Sequence, residues 1–240
     1  MTTSPLHEVL IVGAGPTGLT MALELARHEM PFRIIGKAPG PAVESRAIGI
    51  VPRTMEIFDI MGIVDPFLDA SHRLRGANVF VGSKRIAHLN FDDLDTRYFV
   101  AVLPQGDTER ILAEQLNRKG ITVEREVELT GVSQENDIVT ARLRHKDGRE
   151  EVCRTKWLIG CDGANSTVRT SLGINFAGER YEEVFVLADT HLESTLSWEE
   201  SYTFLHSSGV LAMFPLPNNL VRVVAVLDEQ SRTRIPGKPT

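Results

Sequence analysis

An α/β fold is predicted by three features of the sequence. Val9-Leu10-Ile11-Val12 is a short unbroken run of β-branched and aliphatic residues, the length of a buried parallel strand. It runs straight into Gly13-Ala14-Gly15-Pro16-Thr17-Gly18, and then into Leu19-Thr20-Met21-Ala22-Leu23-Glu24-Leu25-Ala26-Arg27, whose apolar residues recur at helical spacing. From Ile121 onward the pattern changes to strand-like alternation, with further short strands to the end. The predicted architecture is a Rossmann-like domain, a parallel sheet with an antiparallel meander, followed by the beginning of a second β-sheet domain.

The strand, glycine turn and helix order gives the GxGxxG spacing its meaning. Gly13 permits the tight turn, Gly15 lets backbone approach a pyrophosphate, and Gly18 lets the helix pack closely on the strand. The N–H groups at the helix start, around Pro16 and Thr17, then face the phosphates with no lysine required. The bland alternative is a strand-to-helix turn that only needs glycine. Phe32-Arg33-Ile34-Ile35 reads as the second strand, and its end should carry an acid for ribose hydroxyls about 20 residues beyond the glycines. Gly36 and Lys37 stand there instead. Two readings follow: weakened binding, or a site adapted to a 2′-phosphate with Lys37 or Arg33 as its partner.

The remaining elements follow in order. A loop rich in Pro, Gly and Ala precedes a helix over 52–61, with Pro52 in its first turn and Gly62 as its stop. Ala77–Val81 and Arg85–Phe91 flank Gly82-Ser83-Lys84 as a hairpin, and Gln105 to Lys119 is a second long helix closed by Gly120. The meander comprises 127–132, 138–145 and 150–153, with Asp147-Gly148 at a turn, and leads to a separate buried strand at Trp157–Gly160. Residues 182–191, 201–206, 209–216 and 220–227 read as strands of a new sheet. The division expected is 1–75 with 100–180 for the nucleotide domain and 76–99 with 181–230 for a partial substrate sheet. A disordered tail is expected over 231–240.

With 42% apolar and 24% charged residues over 240 positions, the chain is an ordinary globular one. Its net charge of −6, with dispersed Lys and Arg, disfavours nucleic acid. Cys153 and Cys161 sit in apolar, strand-like surroundings and read as inert thiols, and a metal site would need more ligands. No apolar run approaches the ~20 residues that span a bilayer, and the start lacks the basic and apolar regions of a signal peptide. A cytoplasmic location is expected.

Four stretches together resemble the class A flavoprotein monooxygenases, the aromatic hydroxylases with a p-hydroxybenzoate hydroxylase-like fold. They are Gly13 to Gly18; Ser45-Arg46-Ala47-Ile48-Gly49-Ile50 with Pro52-Arg53-Thr54; Leu103-Pro104-Gln105 with Glu109-Arg110; and Cys161-Asp162-Gly163-Ala164-Asn165-Ser166-Thr167-Val168-Arg169. By that resemblance Arg46 lies beside the flavin and its pyrophosphate, Gln105 reaches the FAD ribose region, and Asp162 with Gly163 approaches the pyrophosphate. Arginine suits the first role because its planar fork neutralises phosphate. Against these stand a solvated loop arginine for Arg46 and a helix N-cap or Asx turn for Asp162.

The reaction the resemblance implies is hydroxylation of an aromatic or polyketide-like small molecule. NADPH or NADH reduces FAD, and a flavin hydroperoxide made with O2 donates oxygen. His191, Tyr202 and His206 are candidate acids or bases of the second sheet, each more often structural than catalytic, and no catalytic residue is assigned. The family's further Gly-Asp-Ala-Ala-His type segment has no counterpart here. The expectation is therefore a truncated chain or one partner of a split enzyme, whose second sheet leaves an edge and an apolar face open to self-association or to a second polypeptide. Two other readings remain: a non-catalytic nucleotide-binding remnant, and a relative of flavin halogenases or isoprenoid reductases.

Overall fold

The computed structural model describes residues 2–43, 47–178 and 184–227. In chain order the elements are β1 (Thr2–Val12), α1 (Pro16–Arg27), β2 (Phe32–Gly36), β3 (Gly49–Ile50), α2 (Pro52–Ile60), α3 (Asp65–Ala70), β4 (His72–Leu74), β5 (Gly76–Val81) and β6 (Lys84–Asn90). They continue with β7 (Val100–Val102), α4 (Gln105–Arg118), β8 (Glu124–Arg125), β9 (Val127–Glu135), β10 (Ile138–His145), β11 (Glu150–Gly160) and α5 (Thr167–Ser171). The last four are β12 (Val184–Thr190), β13 (Glu200–His206), β14 (Gly209–Leu216) and β15 (Leu220–Leu227).

The described residues fall into two units, one within 1–47 and 105–177, the other within 48–104 and 178–240. The first holds a six-stranded sheet ordered β8-β2-β1-β11-β10-β9. β8, β2, β1 and β11 run parallel, and β10 lies antiparallel to both β11 and β9. This is the predicted Rossmann-like sheet with its meander. Leu10, Val12, Ile35, Val127, Leu129, Ala141, Leu143 and Cys153 form one buried cluster of this sheet, while Leu19, Ala22 and Leu23 bury the inner stripe of α1. Burying such aliphatic side chains contributes about 1.5–3 kcal/mol each.

Pairing, rather than composition, decides two strands. Trp157–Gly160 is no separate buried strand: β11 is continuous from Glu150, and Trp157 is 68% exposed. Its polar centre stays in the ladder because Thr155 is buried, its hydroxyl donating to the Glu8 carbonyl at 3.2 Å. β1 likewise extends back to Thr2 along β11, from Thr2 opposite Glu151 to Val12 opposite Gly160.

The second unit contains a six-stranded sheet ordered β12-β15-β14-β13-β5-β6 and a three-stranded sheet ordered β3-β7-β4. The predicted hairpin is β5 with β6, and β5 pairs parallel with β13. Residues 48–75 and 100–104, expected with the nucleotide domain, group with this unit: β3 and β4 pair with β7, and Leu74 and Val102 share a buried cluster with Leu216 of β14. Helix α3 was not expected; its Phe67 is fully buried and stacks on Phe58 of α2 at 4.3 Å between ring centroids. Residues 231–240 lie outside the described residues. No helix among the described residues is long and apolar enough to cross a membrane.

Candidate functional site

The carboxyl ends of β1, β2 and β11 meet at the two glycine segments, the position where open parallel sheets bind ligands. Cys161 N donates to the Val12 carbonyl at 2.7 Å, and Gly13 N donates to the Ile35 carbonyl at 2.9 Å, so both turns are tied to strand ends. Gly13 has φ +108, and a Cβ there would overlap the Cys161 carbonyl. A Cβ on Gly18 would overlap the Gly13 carbonyl and sit 3.3 Å from Cys161 Cβ. Glycine at these positions is what lets α1 and both turns close on one another.

A cleft of about 480 Å³ opens there, within the first unit. Its wall includes Gly13, Gly15, Pro16, Thr17, Lys37, Gln105, Asp162 and Gly163, all expected from sequence. Gly18 is not on the wall; it is buried in the first turn of α1, where it lets the helix pack on the Gly13 turn. Arg46 lies outside the described residues. Asn165 and Thr167 also line the cleft, as does Cys161, whose thiol is pushed up by burial. Their positions within the second glycine segment were the available signal.

The wall fits a diphosphate. No side chain caps the first turn of α1, and no acidic residue lies in it, so its N–H groups stay available to an anion. Beyond Gly15 the space is open, the nearest atom to an added Cβ being Glu109 Oε1 at 3.9 Å. The Asp162 side chain is turned to capping: Oδ1 accepts from Ser166 Oγ at 2.6 Å and Oδ2 from Thr167 N at 2.7 Å. Ser166 is the N-cap of α5, its Oγ accepting from Arg169 N at 3.0 Å, and Asp162 supports that turn by accepting from Thr167 N and Val168 N while it and Gly163 contribute to the wall. Gln105 Nε2 donates to Glu109 Oε1 at 2.8 Å, and Glu109 Oε2 accepts from Ala42 N at 2.8 Å. Glu109, named from sequence only within a resembling stretch and given no role there, is buried and pins the loop after β2 to α4.

The missing acid leaves a definite arrangement. Lys37 Nζ contacts Glu128 Oε1 at 2.7 Å, and Arg144 Nη2 donates to Glu128 Oε2 at 2.5 Å. Arg33 does not line the cleft; its guanidinium binds Glu124 at 2.6 Å and Glu151 at 2.5 Å.

In the second unit the three candidate acids and bases are not gathered. His191 Nδ1 contacts the Asn219 carbonyl at 3.1 Å, and His206 Nδ1 contacts Ser208 Oγ at 2.7 Å. The Tyr202 hydroxyl accepts from Ser197 N at 3.0 Å and donates to Glu200 Oε2 at 3.3 Å, and burial pushes it up. Glu200 also accepts from buried Asn78 at 2.9 Å and contacts His88 at 3.2 Å, a cluster with no short sequence signature.

A Rossmann-like sheet with two glycine turns around a cleft of about 480 Å³ defines a dinucleotide-binding α/β protein. The chain belongs to the FAD binding domain family, whose pattern matches residues 7–238, and within it to the class A flavoprotein monooxygenases; FAD is the cofactor. It is 37% identical over 214 residues to 6-methylpretetramide 4-monooxygenase of Streptomyces rimosus, covering 88% of this chain and 38% of that protein. It is 33% identical over 221 residues to pentachlorophenol 4-monooxygenase of Sphingobium chlorophenolicum, covering 90% and 41%. The chain thus spans less than half the length of these relatives. The fold matches the crystal structure of p-nitrophenol 4-monooxygenase PnpA from Pseudomonas putida DLL-E4 with a TM-score of 0.88 at 24% identity, over 98% of this chain and 62% of that one.

Proposed function

We propose that this chain forms the ADP-binding side of the FAD site, and the first part of the substrate-binding region, of an NAD(P)H-dependent monooxygenase that hydroxylates an aromatic or polyketide-like small molecule. The observation that carries this reading is the cleft, where an uncapped helix start, Gly13 and Gly15, Gln105 and the Asp162-Gly163 turn share one wall. The first-turn N–H groups of α1 would hold the diphosphate, with Gln105 and Thr167 beside it and Ile35, Val127 and Leu129 as apolar wall. When bound, FAD supplies the redox chemistry, while the protein supplies binding and orientation. Relatives named for 6-methylpretetramide and pentachlorophenol support the substrate class. A cytoplasmic location and a partner chain, or self-association, complete the reading.

The test is the absorption spectrum of the purified chain, with a titration of FAD against ADP. Yellow protein with FAD bound more tightly than ADP supports the reading, and NAD(P)H oxidation stimulated by a phenol completes it. Colourless protein that binds FAD and ADP equally leaves the chain as the ADP-binding side of a site its partner completes, and colourless protein that binds neither overturns the reading. Halide-dependent product formation points to halogenase chemistry.

A further inference from the structure

We propose that Glu128 of β9, held by Lys37 and Arg144, is the carboxylate that recognises the adenosine ribose of the cofactor, in place of the acid absent at Gly36. The inference rests on the FAD reading above. Dinucleotide sites of this fold place a carboxylate at the end of the second strand to accept from ribose hydroxyls. Here that strand ends in Gly36, and its end is tightly packed: a Cβ on Gly36 would lie 2.8 Å from Ala14 Cβ. The next residue, Lys37, reaches Glu128 at 2.7 Å, which brings a carboxylate from another strand to the same end of the cleft. Both residues are on the cleft wall, between the apolar residues Val127 and Leu129 on one strand and Ile35 on the other.

The chemistry of Glu128 suits the role. A carboxylate offers about four acceptor positions. Lys37 occupies Oε1 and Arg144 occupies Oε2, leaving capacity for two hydroxyl donors. The same two cations hold the Glu128 carboxyl below the usual carboxylate range, so it is a charged acceptor at neutral pH. Lys37 then works as a positioning residue through Glu128 rather than as a phosphate ligand.

The experiment compares ADP with 2′,3′-dideoxyadenosine diphosphate by titration calorimetry on the intact chain. The parent protein is expected to prefer ADP by about ten- to a hundred-fold, the value of hydrogen bonds to a charged acceptor. Glu128→Gln lowers that preference by about tenfold while ADP still binds, because an amide is the weaker acceptor. Glu128→Asp, which keeps the charge and withdraws it by one methylene, also lowers it. Lys84→Gln, on the exposed strand β6 of the second unit, retains it. A parent protein that binds both nucleotides equally, or a Glu128→Gln variant with undiminished preference, overturns the proposal and leaves the FAD reading intact. Failure of the parent to bind ADP at all overturns both.

Discussion

Gly13 and Gly36 show at single residues how closely the glycine turn is built. Gly13→Ala combines a left-handed backbone with overlap on the Cys161 carbonyl. It is expected to cost about 2–5 kcal/mol of stability, read by urea unfolding, and to abolish nucleotide binding. Gly36→Ala meets only Ala14 Cβ at 2.8 Å, so its expected cost is smaller, about 1–3 kcal/mol. Gly36→Glu is expected to carry that penalty without tightening ADP binding, because Glu128 already fills the acceptor role. Titration of ADP against this variant checks it; tighter binding would return the ribose to the end of β2.

Among the elements, the electrostatic clasp across β2, β8, β10 and β11 carries the clearest pH dependence. Arg33 binds Glu124 and Glu151 together, and His145 Nε2 lies 2.8 Å from Glu151 Oε2. Arg33 first, then His145, holds the Glu151 carboxyl down at about 2 from an ordinary 4.5, against the opposing effect of burial. Because the folded-state value is depressed, the stabilisation is fully present above the unfolded-state value of about 4.5 and is lost as pH falls toward about 2. Its size is on the order of 3 kcal/mol at neutral pH. Glu151→Gln is expected to destabilise at pH 7 by about 2–4 kcal/mol, since it strips one partner from a buried pair. The gap from the parent should close below pH 4 in chemical unfolding; a gap constant from pH 7 to 3 would contradict the assignment.

The same elements show where sequence pattern sufficed and where it did not. α1 and α4 were legible because their apolar stripes and glycine stops are local signals. β11 read as two strands because Arg154-Thr155-Lys156 interrupts its apolar pattern, yet pairing on both sides carries it through. β3, β4 and β7 are two or three residues long and exist only through pairing with each other. Among site residues, the glycine segments announced the cleft. Glu128 did not, because a lone Glu on a strand reads as a solvated face until something is packed against it, and Glu109 stood in a resembling stretch without its loop-pinning role.

At the scale of the whole molecule, the sheet of the second unit shows an apolar row that crosses five strands. Phe185 lies opposite Val226, Val226 opposite Val210, Val210 opposite Leu205, and Leu205 opposite Val81. Phe185 and Val81 at its ends are 55% and 50% exposed. Contiguous exposed apolar surface favours association. If this face is where the chain self-associates, replacing Phe185 and Val81 together by Ser should lower its weight-average mass in sedimentation equilibrium. An unchanged mass would place the association elsewhere.

By itself the sequence determined the α/β class, both glycine turns, the long helices and the family, because those depend on residues within a few positions of one another. Tertiary structure alone decided that β11 is continuous, that residues 48–75 and 100–104 join the second unit, that Arg33 is committed to Glu124 and Glu151, and that Glu128 stands beside Lys37. The physical reason is common to all four. Each depends on groups far apart in the chain, whose burial and charge acquire meaning only when folding brings their partners into contact.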